Sequence, residues 1–279
     1  MPREFLWSAP VLQADLDAFG ELRSTTVLRI LQEAATRASS DAGFDPAYYD
    51  RTGGMWIIRR TQLQLESPVR YGDVLDVRTW ITDFRRVRSQ RAYEVRSGAR
   101  LVVRAFSDWV FVDGRGRPRR IPEEWHVAFG VAETRASTRL PFPELEPSDH
   151  AATCHRRIEL HELDALRHVN NSNYVAYVEQ ALLDMAEAAG CGFDVQTSAG
   201  GRLRAVSHDL EYLDAALYGE TLAVTAWATH VTEDALEHHT HVHRGEPRRP
   251  LLQAHSRHRW IAADGAPMPR ALRAAFRAP

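Results

Sequence analysis

Internal repetition is the feature that most constrains this chain. Tyr71-Gly72-Asp73, with Val74-Leu75 and Trp80 after it, returns as Tyr218-Gly219-Glu220 with Thr221-Leu222 and Trp227, each pair 147 positions apart. Asp17-Ala18 and Asp164-Ala165 stand at the same spacing. Trp109 with Asp113-Gly114 pairs with Trp260 and Asp264-Gly265 at a spacing of 151. A turn at Arg244–Pro250, rich in Gly, Pro and Arg, accommodates the four extra residues. Three anchors at one spacing and a fourth displaced by one turn indicate a duplicated unit. The expected bounds are 1–113 for the first copy, a Pro-, Arg- and Glu-rich linker over 114–150, and 151–279 for the second.

Both copies carry the same order of patterns. A short strand, about Phe5–Gln13 or His155–Leu163, leads through a polar loop into a helix. The helices are expected at about Ser24–Ala42 and Asn171–Ala189. Leu28, Leu31, Ala34 and Ala35 form the apolar stripe of the first, and Val175, Val178, Leu182 and Met185 that of the second. Ser24 and Asn171 are the expected N-caps, and Gly43 and Gly190 the stops. Alternating segments then read as four strands in each copy: about Met55–Glu66, Val74–Phe84, Arg88–Arg96 and Leu101–Val112, then Leu203–Leu213, Thr221–Val231, Ala235–His243 and Leu251–Ala262. A further short helix is expected at Ile121–Phe129. The pattern predicts an α+β fold in which an antiparallel sheet wraps a central helix, and two such units could continue one sheet into the other.

Composition excludes several functions. The chain has 279 residues, 44% hydrophobic and 26% charged, as in a globular protein with a real core. A net charge of −2 gives no global pull toward nucleic acid or membrane, and no run approaches a membrane span. All 35 basic residues are Arg, which removes any Schiff-base or P-loop lysine. Two cysteines, Cys154 and Cys191, cannot build a disulfide framework, and a reduced, cytoplasmic setting is expected. Glu237, His239, His241 and His243 alternate along one strand, but such neighbours rarely converge on a metal, so none is expected. Cys191, after the helix stop at Gly190, reads as an inert thiol.

The reactive segment is Asp164-Ala-Leu-Arg-His168-Val169-Asn170-Asn171-Ser-Asn173-Tyr174, continuing to Tyr177 and Glu179. It lies where the second helix begins, and a helix N-terminus offers unpaired N–H groups to a developing oxyanion. An acidic residue and a histidine four positions apart can supply a base, a nucleophile or an orienting group. The simpler alternative is that Asp164 and Asn171 cap the helix while Asn170 turns the chain.

These residues resemble the hotdog-fold thioesterases, and in particular the tandem-hotdog acyl-ACP thioesterases, whose second-domain signature is similar to the Asp164–Tyr174 string. The first copy resembles their first domain at Leu31-Gln32-Glu33-Ala34-Ala35-Thr36, Gly53-Gly54-Met55-Trp56, Tyr71-Gly72-Asp73 and Thr79-Trp80. The resemblance runs from about Glu4 to Ala263. It implies hydrolysis of an acyl thioester carried on acyl carrier protein or CoA, in fatty acid or polyketide biosynthesis, with no cofactor, metal or nucleic acid. A homodimer of tandem hotdogs is compatible with it.

The chain also departs from that pattern. Leu166 stands where the plant-type enzymes have Asn, and Ala215 and Ala216 stand where they have Glu and Cys. What remains resembles the 4-hydroxybenzoyl-CoA thioesterase type. That resemblance makes Asp164 the base or nucleophile, His168 an orienting group, Asn170 and Asn171 the backbone facing the carbonyl, and Glu179 a reserve carboxylate. Tyr174, Trp56, Met55 and Ile57 are the expected acyl-binding residues, although the last three fit an ordinary core equally well. In copy one, Asp17-Ala-Phe-Gly20 resembles the motif of single-domain enzymes, but Glu21 replaces the histidine and would repel an ionised Asp17. That copy is expected to shape the acyl pocket. Arg85, Arg86, Arg88, Arg91, Arg115, Arg117, Arg119 and Arg120 form either a landing surface for an acidic carrier or a solvated face. The alternative function is a non-hydrolytic hotdog protein, a dehydratase, lyase or acyl-carrier-binding module.

Overall fold

The structure is a computed structural model and describes residues 2–133, 141–143, 145–245 and 249–276. The chain divides into two compact units, Met1–Pro141 and Phe142–Pro279. Residues 134–140 and 144 of the expected linker and 246–248 of the expected turn lie outside the described residues.

In unit 1, strand β1 (Glu4–Pro10) leads through a 3₁₀ turn at Gln13–Asp15 to helix α1 (Ser24–Asp41) and a short helix α2 (Pro46–Thr52). Strands β2 (Gly54–Leu65), β3 (Val74–Phe84), β4 (Arg88–Ser97) and β5 (Arg100–Asp113) follow, and then helix α3 (Glu123–Phe129). The sheet is antiparallel in the order β1-β3-β4-β5-β2. Helix α1 covers it with Val27, Leu28, Leu31, Ala34 and Ala38, all buried, opposite Leu75, Val77 and Ile81 of β3. Burying each Val, Leu or Ile side chain among these contributes about 1.5–3 kcal/mol. The stretch read as a linker contains core residues. Ile121, Trp125 and Phe129 pack with Phe44, Tyr48, Phe84 and Phe111, and Trp125 stacks on Phe44 at 3.8 Å.

Unit 2 repeats the plan with β6 (Ala152–Arg157), a 3₁₀ turn at Leu160–Glu162, α4 (Asn173–Ala188), α5 (Phe193–Ser198), β7 (Gly201–Tyr212), β8 (Thr221–Val231), β9 (Ala235–Arg244), β10 (Arg249–Ala262) and α6 (Arg270–Ala275). Its strand order is β7-β10-β9-β8-β6, antiparallel throughout. Val175, Val178, Leu182 and Met185 of α4 face this sheet, and Met268, Leu272 and Phe276 close one end of the core. Both units therefore have the expected sheet around a central helix. No helix among the described residues is long and apolar enough to cross a membrane.

Several expectations need correction. The first strand of each copy ends earlier than the alternation suggests. A carboxylate three residues on (Asp15, Glu162) accepts the backbone N–H of Leu12 or Glu159 and winds the chain into a 3₁₀ turn. Ser24 is the first helical residue of α1, after Arg23 as N-cap, and the N-cap of α4 is Ser172 rather than Asn171. Helix α2 has a signal that was passed over, Asp45 capping Tyr48 with Pro46 in the first turn. Trp260 occupies the place of Phe111, not Trp109. A Cβ on Gly54 would collide with the Phe111 ring, and one on Gly201 with the Trp260 ring, so both glycines are required by an aromatic lying over them. The matching last strands, 100–113 and 249–262, make the insertion two residues rather than four.

The inner face of unit 2 buries histidines. His208, His238 and His258 are at most 4% exposed. Burial and neighbouring histidines hold His238 well below its ordinary range and push His258 down to about 3. His239, beside His255, is pushed down to about 4 by burial first and then by that neighbour. The unfolded chain takes up these protons near pH 6.5 while the folded chain refuses them until much lower pH. Stability should therefore fall as pH drops from about 6.5 toward 4, faster than for a protein of equal size without buried histidines. Urea midpoints across that range check this, and His258→Phe should flatten the slope.

Candidate active site

The loop before α4 is a tight hairpin. Asp164 N–H donates to the His168 carbonyl (2.9 Å), Arg167 N–H to the Asp164 carbonyl (2.9 Å), and Leu163 bridges Val169. This brings Asp164 and His168 side by side. Unit 1 builds the same turn 147 positions earlier, with Asp17 N–H on Glu21, Gly20 N–H on Asp17, and Leu16 bridging Leu22. The aspartate has a structural task in both copies: Asp164 Oδ1 accepts the Leu166 N–H (2.9 Å), and Asp17 Oδ1 accepts those of Phe19 (2.8 Å) and Glu21 (2.9 Å). The copies differ around that aspartate. Asp164 Oδ2 and the exposed His168 ring have no hydrogen-bond partner among the described residues, whereas Asp17 Oδ1 takes two N–H groups of its turn and Glu21 stands where unit 2 has the histidine.

The next three residues divide their N–H groups unequally. Asn170 donates to the Glu162 carbonyl (2.9 Å), and Ser172 donates both its N–H (3.0 Å) and its hydroxyl (2.7 Å) to the Asn170 side-chain oxygen. Asn171 N–H has no acceptor among the described residues, so it is the donor open to an oxyanion. Tyr212 hydroxyl holds the Asn171 carbonyl at 3.2 Å.

Glu162 is a residue the sequence reading missed. It is 5% exposed and its backbone carbonyl accepts from Asn170 N–H and from Asn173 Nδ2 (2.8 Å). Its carboxylate accepts the Tyr177 hydroxyl (2.7 Å) and the Glu159 N–H (2.7 Å), with Arg156 at 3.4 Å. Burial opposes its ionisation, but those donors together hold it below the usual carboxylate range. The signal was available in the repeat, because Asp15 sits at the same place and its carbonyl accepts from Arg23 N–H and Thr26 hydroxyl.

A second missed group lies behind Glu179. This helix carboxylate contacts His208 Nε2 at 3.2 Å, and His208 Nδ1 meets Ser256 Oγ at 2.8 Å. His208 and Ser256 are buried, while about a third of the Glu179 side chain is open to solvent.

Residues 4–129 match the acyl-ACP thioesterase N-terminal domain, and residues 158–276 match the thioesterase-like superfamily. Each half of the chain is thus similar to a thioesterase-family domain. An oleoyl-acyl carrier protein thioesterase from Arabidopsis thaliana is 22% identical over 178 residues, covering 56% of this chain and 49% of that protein. The chain thus spans about half the length of the curated relatives it matches. A structure described as an oleoyl thioesterase from Lactobacillus plantarum superposes with a TM-score of 0.80 at 17% identity, over 92% of this chain and 96% of that one. The 12:0-ACP thioesterase from Umbellularia californica gives 0.72 at 20%, over 93% and 94%. These likenesses establish the hotdog fold.

The other expected residues fall in various places. Tyr174 is buried, its hydroxyl accepts the Ala216 N–H (3.0 Å), and burial pushes its pKa up to about 12. Trp56 packs on Phe111 (5.0 Å) and Trp125 (5.3 Å) at the edge of the aromatic core, and half-buried Met55 and Ile57 flank it along β2. Arg91 is not a surface arginine. It is 5% exposed, lies over the Phe129 ring and reaches Thr79 Oγ1 at 3.4 Å. Arg85 pairs with Asp83 and Arg120 with Glu133, whereas Arg86, Arg88, Arg115 and Arg117 are exposed. Arg119, also exposed, reaches the Thr52 carbonyl. His239 stacks on His255 (4.6 Å) and Trp227, Glu237 pairs with Arg257 and His255, and Cys191 is buried in the core. No group of three or more His, Cys, Asp or Glu among the described residues is placed to hold a metal.

Arg167 alone among the described non-glycine residues has positive φ, at 62°, where unit 1 uses Gly20 at 72°. The left-handed conformation costs a side-chain-bearing residue about 1–2 kcal/mol. Against the entropy glycine loses on folding, Arg167→Gly should stabilise unit 2 by up to about 1 kcal/mol, and Gly20→Arg should weaken unit 1 by a similar amount. Urea unfolding of the two variants checks both signs.

Proposed function

We propose that this protein hydrolyses an acyl thioester, presented on acyl carrier protein or CoA, to a free acid and a thiol. The observation that carries the reading is the asymmetry of the duplicated turn. In the second copy an oriented aspartate keeps one oxygen unengaged, beside a histidine and ahead of an open backbone N–H. Both domain matches, and relatives that act on acyl carrier protein thioesters by name, support it.

In this reading Asp164 Oδ1 fixes the carboxylate against the Leu166 N–H, and Oδ2 acts on the thioester by attacking its carbonyl carbon or taking a proton from water. As the nucleophile bonds to the carbonyl carbon, the charge that develops on the carbonyl oxygen is met by the Asn171 N–H and the positive end of α4, and the C–S bond breaks as the carbonyl re-forms. His168, adjacent across the turn, positions the thioester group. Asn170 keeps Ser172 in place so that the Asn171 N–H stays directed outward. Tyr174 holds the Ala216 backbone, in the connection between β7 and β8, against the helix, and Met55, Ile57 and Trp56 remain the candidates for contact with the acyl chain. Both free cysteines fit a reducing, cytoplasmic setting.

A panel of acyl-ACP and acyl-CoA thioesters, followed by thiol release, tests the proposal. Asp164→Asn keeps the oxygen that accepts from Leu166 and removes the charge, so the fold should persist while kcat/KM falls by about 10²–10⁴-fold. His168→Ala should cost less, chiefly in KM. Full activity in Asp164→Asn would remove Asp164 from the mechanism.

A further inference from the structure

The outer surface around the open aspartate of unit 2 is apolar, and its counterpart in unit 1 is not. Leu160, Leu166, Leu217 and Tyr218 are between 42% and 72% exposed. Large apolar side chains left open as a group mark a surface that meets a ligand or partner, whereas scattered single ones do not. These four lie on segments bonded to one another. Leu160 opens the 3₁₀ turn, Leu166 lies inside the Asp164–His168 hairpin, and Leu217 follows Ala216, whose carbonyl accepts the Val169 N–H. His168 and Leu217 face each other across an isolated bridge. Counting back 147 positions, unit 1 has Gln13, Phe19, Arg70 and Tyr71 at these places, and Phe19 is half-buried. The apolar group thus accompanies the aspartate that keeps an unengaged oxygen.

Most charges beside this surface are paired. Arg157 pairs with Glu159 at 3.2 Å, and Arg244 with Glu220 at 3.1 Å and with Asp214. Arg157 also lies over the Tyr218 ring at 5.8 Å and fixes it in place. Arg167 is different. It is exposed, stands between Leu166 and His168, and its guanidinium has no ion pair among the described residues. It is also the residue with φ of 62° in the turn that unit 1 closes with Gly20. A long side chain stands there against backbone strain, and such outliers collect where a residue has a task beyond the fold. The surface is therefore apolar and uncharged, with one available guanidinium.

The reaction limits what can lie across such a surface. Hydrolysis puts the acyl carbon at Asp164, so the sulfur and the first atoms of the leaving thiol lie against the same hairpin. CoA and acyl carrier protein present their acyl groups on one arm, 4′-phosphopantetheine. From its sulfur this arm runs through two amides and a dimethyl carbon, all uncharged, to a phosphate. That order of groups complements an apolar, uncharged surface with a single guanidinium. We propose that Leu166, Leu217 and Tyr218 hold the phosphopantetheine arm of the substrate and that Arg167 meets its phosphate through paired N–H donors. This rests on the thioester-hydrolysis reading and deepens it. Recognition then lies in the leaving thiol as well as the acyl group, and these four residues set it.

Steady-state kinetics on the full chain, with one acyl group carried on different thiols, test this. N-acetylcysteamine keeps only the first atoms of the arm. The ratio of kcat/KM for acyl-CoA to that for the acyl-N-acetylcysteamine thioester therefore measures arm recognition, and in the wild type it should be on the order of 100. Leu217→Asn and Tyr218→Ser, both at exposed positions, should each lower it by about tenfold, with the same factor lost when acyl carrier protein replaces CoA. Arg167→Gln should remove the preference for acyl-phosphopantetheine over acyl-pantetheine, and Arg167→Lys, which keeps the charge, should restore part of it. Because each readout is a ratio, a general loss of activity does not imitate it. Unchanged ratios in these variants would overturn the arm site and leave the hydrolase reading standing. So would a loss confined to acyl carrier protein, which would make this a protein-docking face. Flotation of the wild type on phospholipid vesicles that Leu217→Asn abolishes, with the ratios intact, would make it a lipid-facing surface instead. A wild-type protein inactive on every thioester would take down both.

Discussion

Carboxylates accepting backbone N–H groups of their own turns fix how the chain enters each central helix, and the candidate site depends on them. Asp15 and Glu162 wind the chain out of the edge strand, and two residues later Asp17 and Asp164 fold it back on itself. A hydrogen bond to a charged acceptor contributes about 1.5–3 kcal/mol. Two in sequence are enough to hold a loop that has little apolar surface of its own. The same acceptors recur at the next turn. Asp73 takes the N–H of Arg70 and Glu220 that of Leu217, which explains why the Tyr-Gly-acid triplet is found in both copies. With the entry fixed from both sides, the orientation of Asn171 follows from geometry rather than from contacts of its own side chain.

This also explains what was legible in the sequence. The strands of both meanders and the long helices follow from alternation and from a 3.6-residue stripe, because each has one face in a core and one in water. Val74–Phe84 and Thr221–Val231 fall where the alternation puts them. The ends of β1 and β6 do not, since a side chain three residues on overrides the local pattern there, and periodicity carries no record of such a bond. The Trp109–Trp260 match failed for a related reason. Residue identity was the guide, whereas the fold keeps an aromatic ring over a glycine and lets Phe111 serve as well as Trp260.

The candidate site was legible where it is local and hidden where it is assembled across strands. Asp164, His168, Asn170 and Asn171 lie in one run, so spacing alone groups them. Glu179, His208 and Ser256 are separated by 29 and 48 positions along the chain and meet only through helix packing and strand register. The alternating Glu237, His239, His241 and His243 stand out as a pattern along one strand, yet His208, His238 and His258, buried together on the inner face, come from three different strands. A single strand shows its own alternation but not its neighbour across the sheet.

The interior polar row is the part of this fold that core stability does not explain. An apolar residue at 238 or 258 would pack as well and would avoid the loss of stability that these buried neutral histidines impose as pH falls. His258 Nδ1 and His238 Nε2 even lack a hydrogen-bond partner among the described residues, at a cost of about 1–3 kcal/mol each. In unit 1 the same row holds Arg91, with a single long side-chain hydrogen bond among the described residues, to Thr79 Oγ1. Duplicated scaffolds that shared only a stability requirement would be expected to lose such residues independently. Here both copies retain polar groups at the same depth, different in chemistry, and only the copy with the open aspartate sets an imidazole behind its helix carboxylate. That pairing of features in one unit is what a division of labour between the copies predicts.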